Sequence, residues 1–166
     1  MVNDAMNRQH QLGTIQLDFH LPSRFNLNYH SQSKELKTPV LIHRAIIGSL
    51  ERTMALLIES TNGKWPFWIS PRQILIISIG DSINYCKQLK NGLSEMKYHC
   101  DIDESDNTMG KKIRDAEGMG YNYVFVVGEK EVESNSVSVR ERGGKMIGSL
   151  GIDQIYKFLK DHVDFN

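Results

Sequence analysis

The chain has 166 residues, 20 Lys plus Arg against 20 Asp plus Glu, and 40% hydrophobic content. That length suits one domain, or one plus a piece of another, and the zero net charge excludes binding to nucleic acid or membrane through bulk electrostatics. The longest apolar run is far short of a membrane span. The first eight residues form neither a signal-peptide core nor an Arg-rich, acid-poor transit segment, so the expectation is a cytosolic protein; an organelle form would need a leader upstream. Cys86 and Cys100 form no CxxC pair and read as buried thiols in a reducing compartment.

In chain order, residues 14–19 alternate. Ile15, Leu17 and Phe19 share one face, and Thr14, Gln16 and Asp18 share the other, the pattern of a half-buried strand in an antiparallel sheet. The polar face either meets water or lines a cleft in which an amide and a hydroxyl read a small polar ligand. Phe25, Leu27 and Tyr29 alternate with polar residues and predict a second short strand. Residues 30–38 read as a polar connection.

Residues 39–52 read as a strand that stops at Gly48 and becomes a helix. Val40 and Ile42 point one way, Leu41 and His43 the other. Ser49 is a natural N-cap, and Leu50, Met54, Leu57 and Ile58 carry the spacing of an amphipathic helix running to about residue 60. Three strands are thus expected to pack as a sheet that ends in this helix. Arg52 sits in the helix's first turn, where the dipole is already positive. An arginine held there gains if an anion docks against both guanidinium and dipole; otherwise it is a solvated surface residue.

Residues 62–72 hold two prolines, a glycine and three aromatics, which predict a packed connection rather than a floppy linker. Beyond it, 73–79 is a buried strand. Ser82 is a candidate cap for a helix carrying Ile83, Cys86, Leu89, Leu93 and Met96. Residues 98–103 are a strand and 103–108 a polar loop. Met109, Ile113 and Ala116 mark a weak helix, damaged at its end by Gly118 and Gly120. A buried strand follows at 123–127, then a loop containing Glu131. Residues 136–141 alternate, with Val137 and Val139 inward and Ser138 and Arg140 outward. Gly143–Gly144 is a hairpin turn, and Ile152, Ile155, Tyr156, Leu159 and Val163 line a C-terminal amphipathic helix. The order predicts an α/β sandwich with a mixed sheet.

Within 66–166, 13 Lys plus Arg face 15 Asp plus Glu, a net −2, which gives no general footprint for RNA. Locally, Lys111, Lys112 and Arg114 cluster, as do Arg140, Arg142 and Lys145. A small site reading splayed bases works without a basic surface, and the Glu131 carboxylate is suited to accept a base amino proton.

The run His-Arg-Ala-Ile-Ile-Gly-Ser-Leu-Glu-Arg at 43–52 resembles motif 3 of class II aminoacyl-tRNA synthetases, in the form of the threonyl-tRNA synthetase family. Residues 8–19, with Leu12 where that family commonly has Cys, and residues 62–72 resemble it as well. The resemblance implies that residues 1–65 are the last part of an antiparallel class II catalytic sheet and that 66–166 are an anticodon-binding domain. It implies that Arg52 is catalytic and binds ATP, with Gln11 and Thr14 near the nucleotide. It implies that Gln16 binds threonine, and that His43 is one of three ligands of a zinc ion whose other two ligands lie before Met1. Glu131 and Arg140, with Arg114 as a third by position, match anticodon-reading positions; nothing is carried onto 104–109.

The activity so implied is ATP-dependent attachment of threonine to tRNA(Thr), with Zn2+ and Mg2+, in a homodimeric cytoplasmic ligase. This stretch alone is expected to be inactive, since motif 1 and most of motif 2 are not in it. The alternative is a stand-alone tRNA-binding or regulatory module without catalytic activity. A prolyl or glycyl relative is a third reading.

Overall fold

The computed structural model describes residues 1–163, the last two by backbone only. The side chain of Val163, expected on the C-terminal apolar stripe, therefore lies outside the described residues. The chain divides into two compact units between Gly63 and Lys64.

In the first unit β1 (Val2–Asn3) pairs antiparallel with β2 (Gln9–His10). Asp4, buried at the start of the intervening turn, accepts hydrogen bonds from the Met6 and Arg8 amides and from Arg8 Nε, and lies 3.0 Å from His10 Nε2. His10, burial acting against it, and the Arg8 and Met6 donors together hold its carboxyl well below the usual carboxylate range.

β3 (Thr14–Asp18) pairs antiparallel with β6 (Leu41–Ala45), with Gln16 opposite His43 and Leu17 opposite Ile42. Paired residues share a face, so Thr14, Gln16, Asp18 and His43 stand on one side of this ribbon. Ile15, Leu17 and Ile42 stand on the other, and all three are exposed.

The strand expected at residues 25–29 does not form except at Tyr29 and does not join this sheet. Residues 20–24, just before it, are a short helix, α1 (His20–Arg24). Asp18 Oδ1 accepts from the His20 and Leu21 amides at 2.8 and 3.0 Å, which satisfies donors a new helix leaves free. Pro22 fits the first turn because its missing N–H has no partner to lose there.

Tyr29–His30 (β4) then pairs with Leu36–Lys37 (β5) in a separate hairpin, so 30–38 is more than a connection. The β3–β6 sheet is two-stranded. It leads into α2 (Leu50–Thr61), whose N-cap Ser49 accepts from the Arg52 amide at 3.4 Å. Gly48 makes the corner: its φ is +58°, and a Cβ there would sit 2.7 Å from the Leu12 carbonyl oxygen. No residue of α2 is fully buried.

The second unit is built on β7 (Ile74–Ser78), buried along its whole length. A 3₁₀ turn, Phe67–Ile69, precedes it. After β7 come α3 (Ile83–Glu95), β8 (Cys100–Asp103), α4 (Met109–Met119), β9 (Tyr123–Val127), α5 (Glu129–Glu133), β10 (Ser136–Glu141), β11 (Met146–Gly151) and α6 (Ile152–Val163). The five-stranded sheet has the order β11-β10-β9-β7-β8, with β8 and β9 parallel to β7 and β10 antiparallel to both β9 and β11.

Helices cover both faces. Cys86, Leu89, Leu93, Ile155 and Leu159 from α3 and α6 pack with Ile74, Ile76, Phe125, Val137 and Val139. Ala116 and Ile113 from α4 pack with Leu75, Ile77, Val124 and Val126 on the reverse. This explains why β7 and β9 are continuous apolar runs.

The helix at 109–119 is longer and firmer than its two glycines suggest. Gly120 is its left-handed C-cap, with φ +81°, rather than a defect in it. Glu131, expected in a loop, lies in α5, where its Oε2 accepts the Gly128 amide at 3.0 Å. Gly143 and Gly144 form the expected turn, both with positive φ. Both cysteines are free and buried; burial, the larger cause, with the Asp101 charge pushes the Cys100 thiol up to about 12.

The Asp18 corner predicts a pH dependence. The Leu21 amide, then His43 and the His20 amide, lower the Asp18 pKa from 3.8 to about 2. A depressed folded pKa means that the contribution is present above the unfolded value and is lost as pH falls from 3.8 towards about 2. The His20 and Leu21 amide resonances should titrate with a midpoint near 2 and lose that transition in D18N. A midpoint near 3.8 in the unmodified chain would show that the carboxylate does not hold this corner.

Candidate functional site

The polar face of the β3–β6 ribbon forms the floor of the first candidate. A shallow cavity of about 810 Å³ is lined by Gln16, Asp18, His20 and His43, with Leu17 and Phe19 at its edge. His43 Nε2 lies 3.0 Å from Asp18 Oδ2, with His43 half-exposed and Asp18 largely covered. The pairing fixes the imidazole's direction, and Gln16 stands directly across from His43. Thr14 lines a neighbouring cavity of about 300 Å³ with Gly13, Arg44 and Ala45. Gln11 follows β2 and is exposed.

Arg52 is exposed in the first turn of α2, beside Glu51, whose Oε2 accepts from Ser49 Oγ at 2.7 Å. It does not line the cavity shared by Gln16 and His43. The structure thus brings Gln16 and His43 together and leaves Arg52 outside that lining.

The donors present do not make a metal site by themselves. Among the described residues no three His, Cys, Asp or Glu side chains converge as a ligand set. His43 offers one imidazole, already engaged at Nε2 by Asp18. A tetrahedral zinc site needs at least three protein ligands, so no chemical step is assigned to a metal here.

The second candidate lies in the other unit, at the C-terminal ends of the parallel strands, where open α/β sheets bind ligands. β7 sends its connection through α3 on one face, and β9 is reached through α4 on the other. A cavity of about 510 Å³ opens there, lined by Gly80, Asp81, Glu104, Asn107, Met109 and Lys112 among others. Glu131 follows the end of β9.

Arg140 lies on β10 opposite Val124, three residues back from the end of β9, roughly 10 Å along the sheet. It was expected to point to solvent. Its face of the sheet is the one covered by α4, because its partner Val124 packs there with Ala116. Arg140 is half-buried, and its Nε is a buried donor without a hydrogen-bond partner. Arg114 is exposed on α4. The three residues are spread along the sheet's edge and over α4 rather than clustered at one point.

Lys112 is not part of a basic surface patch. It is 4% exposed, and its ammonium donates to the Ser78 and Asp103 carbonyls. Helical spacing marks it as the buried member of the Lys-Lys pair, since it lies three residues after Met109 and four before Ala116 on the apolar stripe, while Lys111 does not. Asp18 was legible on the polar face of its strand, but its role as the His43 partner needed the register of two distant strands. The hydrogen-bonded 103–107 loop carried no periodic signal at all.

Two families match the chain. The "tRNA synthetase class II core domain (G, H, P, S and T)" matches residues 1–61, and the "Anticodon binding domain" matches 73–162. A protein of Dictyostelium discoideum, named probable threonine–tRNA ligase 1, cytoplasmic, is 47% identical over 165 residues, 98% of this chain and 23% of that one. Threonine–tRNA ligase 1, cytoplasmic, of Homo sapiens is 43% identical over 167 residues, 99% of this chain and 23% of that one.

The crystal structure of the RNA binding domain of threonyl-tRNA synthetase from Cryptosporidium parvum Iowa II superposes with a TM-score of 0.86. It is 40% identical, covering 99% of this chain and 42% of that one. The chain spans about a quarter of the length of the first of these relatives. The anticodon domain alone takes in more than half of the sequence, so the chain belongs to the anticodon binding domain family, with a stretch similar to the class II synthetase core domain before it.

Proposed function

We propose that this chain supplies two working parts of a cytoplasmic threonine–tRNA ligase: the motif 3 end of the aminoacylation site, in residues 1–65, and the anticodon reader, in residues 66–166. The observation that carries the second part is the match of residues 73–162 to the anticodon binding domain, with Glu131 placed just after the end of β9 and Arg140 half-buried on β10.

Glu131 keeps Oε1 for a base amino group while Oε2 caps α5. Arg114 adds a cation on the neighbouring helix. The unit's slight negative charge suits reading base edges over gripping backbone. Names of relatives, all cytoplasmic threonine–tRNA ligases where printed above, support both the location and tRNA(Thr) as partner.

In the first part, the roles follow from side-chain chemistry. The Arg52 guanidinium, at a helix N-terminus, neutralises the phosphates of ATP with its Mg2+. Gln11 and Thr14 offer neutral hydrogen bonds on the nucleotide side. Gln16, across from His43, receives the amino or hydroxyl group of threonine. A site that hydrogen-bonds the hydroxyl rejects valine, whose methyl leaves those groups unpaired. His43 is one ligand of a Zn2+ ion whose remaining ligands come from polypeptide outside residues 1–166, in a homodimeric enzyme. Asp18 then acts as its outer-sphere partner.

Binding tests the anticodon reading. The chain should prefer tRNA carrying a threonine anticodon over the same tRNA with its anticodon swapped. R140A should lose about 1–3 kcal/mol of that preference with little change in binding to the swapped RNA. Equal binding of both RNAs by the unaltered chain would remove the reading.

For the first part, metal analysis of the longer protein containing these residues should find zinc that disappears in H43A, with R52A raising the KM for ATP. Zinc retained in full by H43A would contradict His43 as a ligand.

A further inference from the structure

The buried lysine at the mouth of the RNA-reading unit has a role that none of the residues above fills. Lysine is almost never fully buried unless paired, and desolvating an ammonium is costly unless its donors are met. Lys112 is met almost entirely by backbone. Its Nζ donates at 3.0 Å to the carbonyl of Ser78, the last residue of β7, and at 3.3 Å to that of Asp103, the last residue of β8. Asp103 Oδ1 lies 3.9 Å away. One side chain from the second turn of α4 therefore ties together the two strand ends between which the cavity opens.

The same carboxylate continues the network outward. Asp103 Oδ1 accepts the Ser105 amide at 2.9 Å. Asn107 Nδ2 donates to Ser105 Oγ at 3.2 Å, and Lys111 Nζ donates to Asn107 Oδ1 at 3.0 Å. The loop from 103 to 107 is exposed yet hydrogen-bonded at alternate residues, and its root is Lys112. Glu104, Ser105, Asn107 and Lys112 line both this cavity and its neighbour of about 370 Å³ on the α4 side. Moving the root moves the shared wall of both, together with the first turns of the helix that carries Arg114.

We infer that Lys112 is a positioning residue for anticodon discrimination: it touches no RNA, and it fixes where the 103–107 loop and α4 leave the sheet. This rests on the anticodon reading proposed above. A preorganised site discriminates because its groups do not reorganise to meet a wrong base. Freeing the loop lets both RNAs find partial contacts, so the loss falls on the ratio of the two affinities. A phosphate contact behaves differently: losing one lowers the slope of log K against log salt by about 0.7–0.9 and weakens both RNAs alike.

The test uses the full chain, with tRNA of threonine anticodon and its anticodon-swapped form, titrated at several salt concentrations. K112M keeps the stem length and removes the charge. The expected result is a loss of about tenfold in the cognate-to-swapped ratio, as a change of order 1.4 kcal/mol, with the salt slope unchanged. D103N is the second variant, because it leaves the lysine and its two backbone carbonyl partners in place and weakens the carboxylate's contacts with Lys112 and Ser105. It should remain folded and lose about threefold to fivefold of the ratio.

An unchanged ratio in folded K112M, or in folded D103N if K112M does not fold, overturns the inference. So does a salt slope reduced by about one, which makes Lys112 a phosphate contact. If the unaltered chain shows no preference between the RNAs, the anticodon reading itself fails; if it shows a preference that the variants keep, only the role of Lys112 fails.

Discussion

A parallel strand has to be covered on both faces, and β7 imposes that requirement on the whole second unit. Ile74, Ile76 and Ile77 are fully buried, with β8 on one side and β9 on the other. The chain crosses from β7 to β8 in one direction along the sheet and from β8 back past β7 to β9 in the other, so crossovers of the same hand put α3 and α4 on opposite faces. That arrangement sends the loops after β7, β8 and β9 to one edge. The cavity, the 103–107 loop and Glu131 meet there for topological reasons. Catalogues of motifs do not carry that information; the sheet order does.

The first unit obeys the opposite condition. Its two-stranded ribbon buries neither face fully. Ile15 and Leu17 are 71% and 60% exposed, Ile42 66%, and Leu50 on α2 57%. Contiguous apolar surface of this kind marks an interaction face. The polar side of the ribbon carries Gln16 and His43. The register that places those two opposite each other is therefore held by five cross-strand pairs, the Asp18 corner and the Gly48 turn, with little core beneath it.

Legibility in the sequence follows the same physics. β7 and β9 were readable because burial on two faces leaves an unbroken apolar run. α2 was readable because Ser49 caps it and its apolar residues recur at helical spacing, and β3 because it alternates. α1 was not readable: its start depends on Asp18, which looked like one more polar residue of the strand, and the alternation at 25–29 was coincidental. α5 was hidden for a similar reason, since Gly128 and Glu131 form its N-terminal hydrogen bond without any apolar period to announce it.

Arg140 shows the limit of alternation in a sheet covered twice. Outward from one layer is inward to the other, so a charged residue at an alternate position was placed in solvent when it is half-buried on the sheet face it shares with Val124. For the proposed sites, residue types were legible and relations between them were not. His43 with Asp18, and Lys112 with two strand ends, are contacts across 25 and up to 34 positions of sequence.

The second unit is organised around its own core, while the first is a ribbon held by register and corners. Amide hydrogen exchange of the full chain under native conditions tests this contrast directly. Amides of β7 and β9 should exchange slowest, at the rate of global unfolding of their unit, and those of β3 and β6 should exchange far faster through local opening. Equal protection of the two sets of strands would contradict the account.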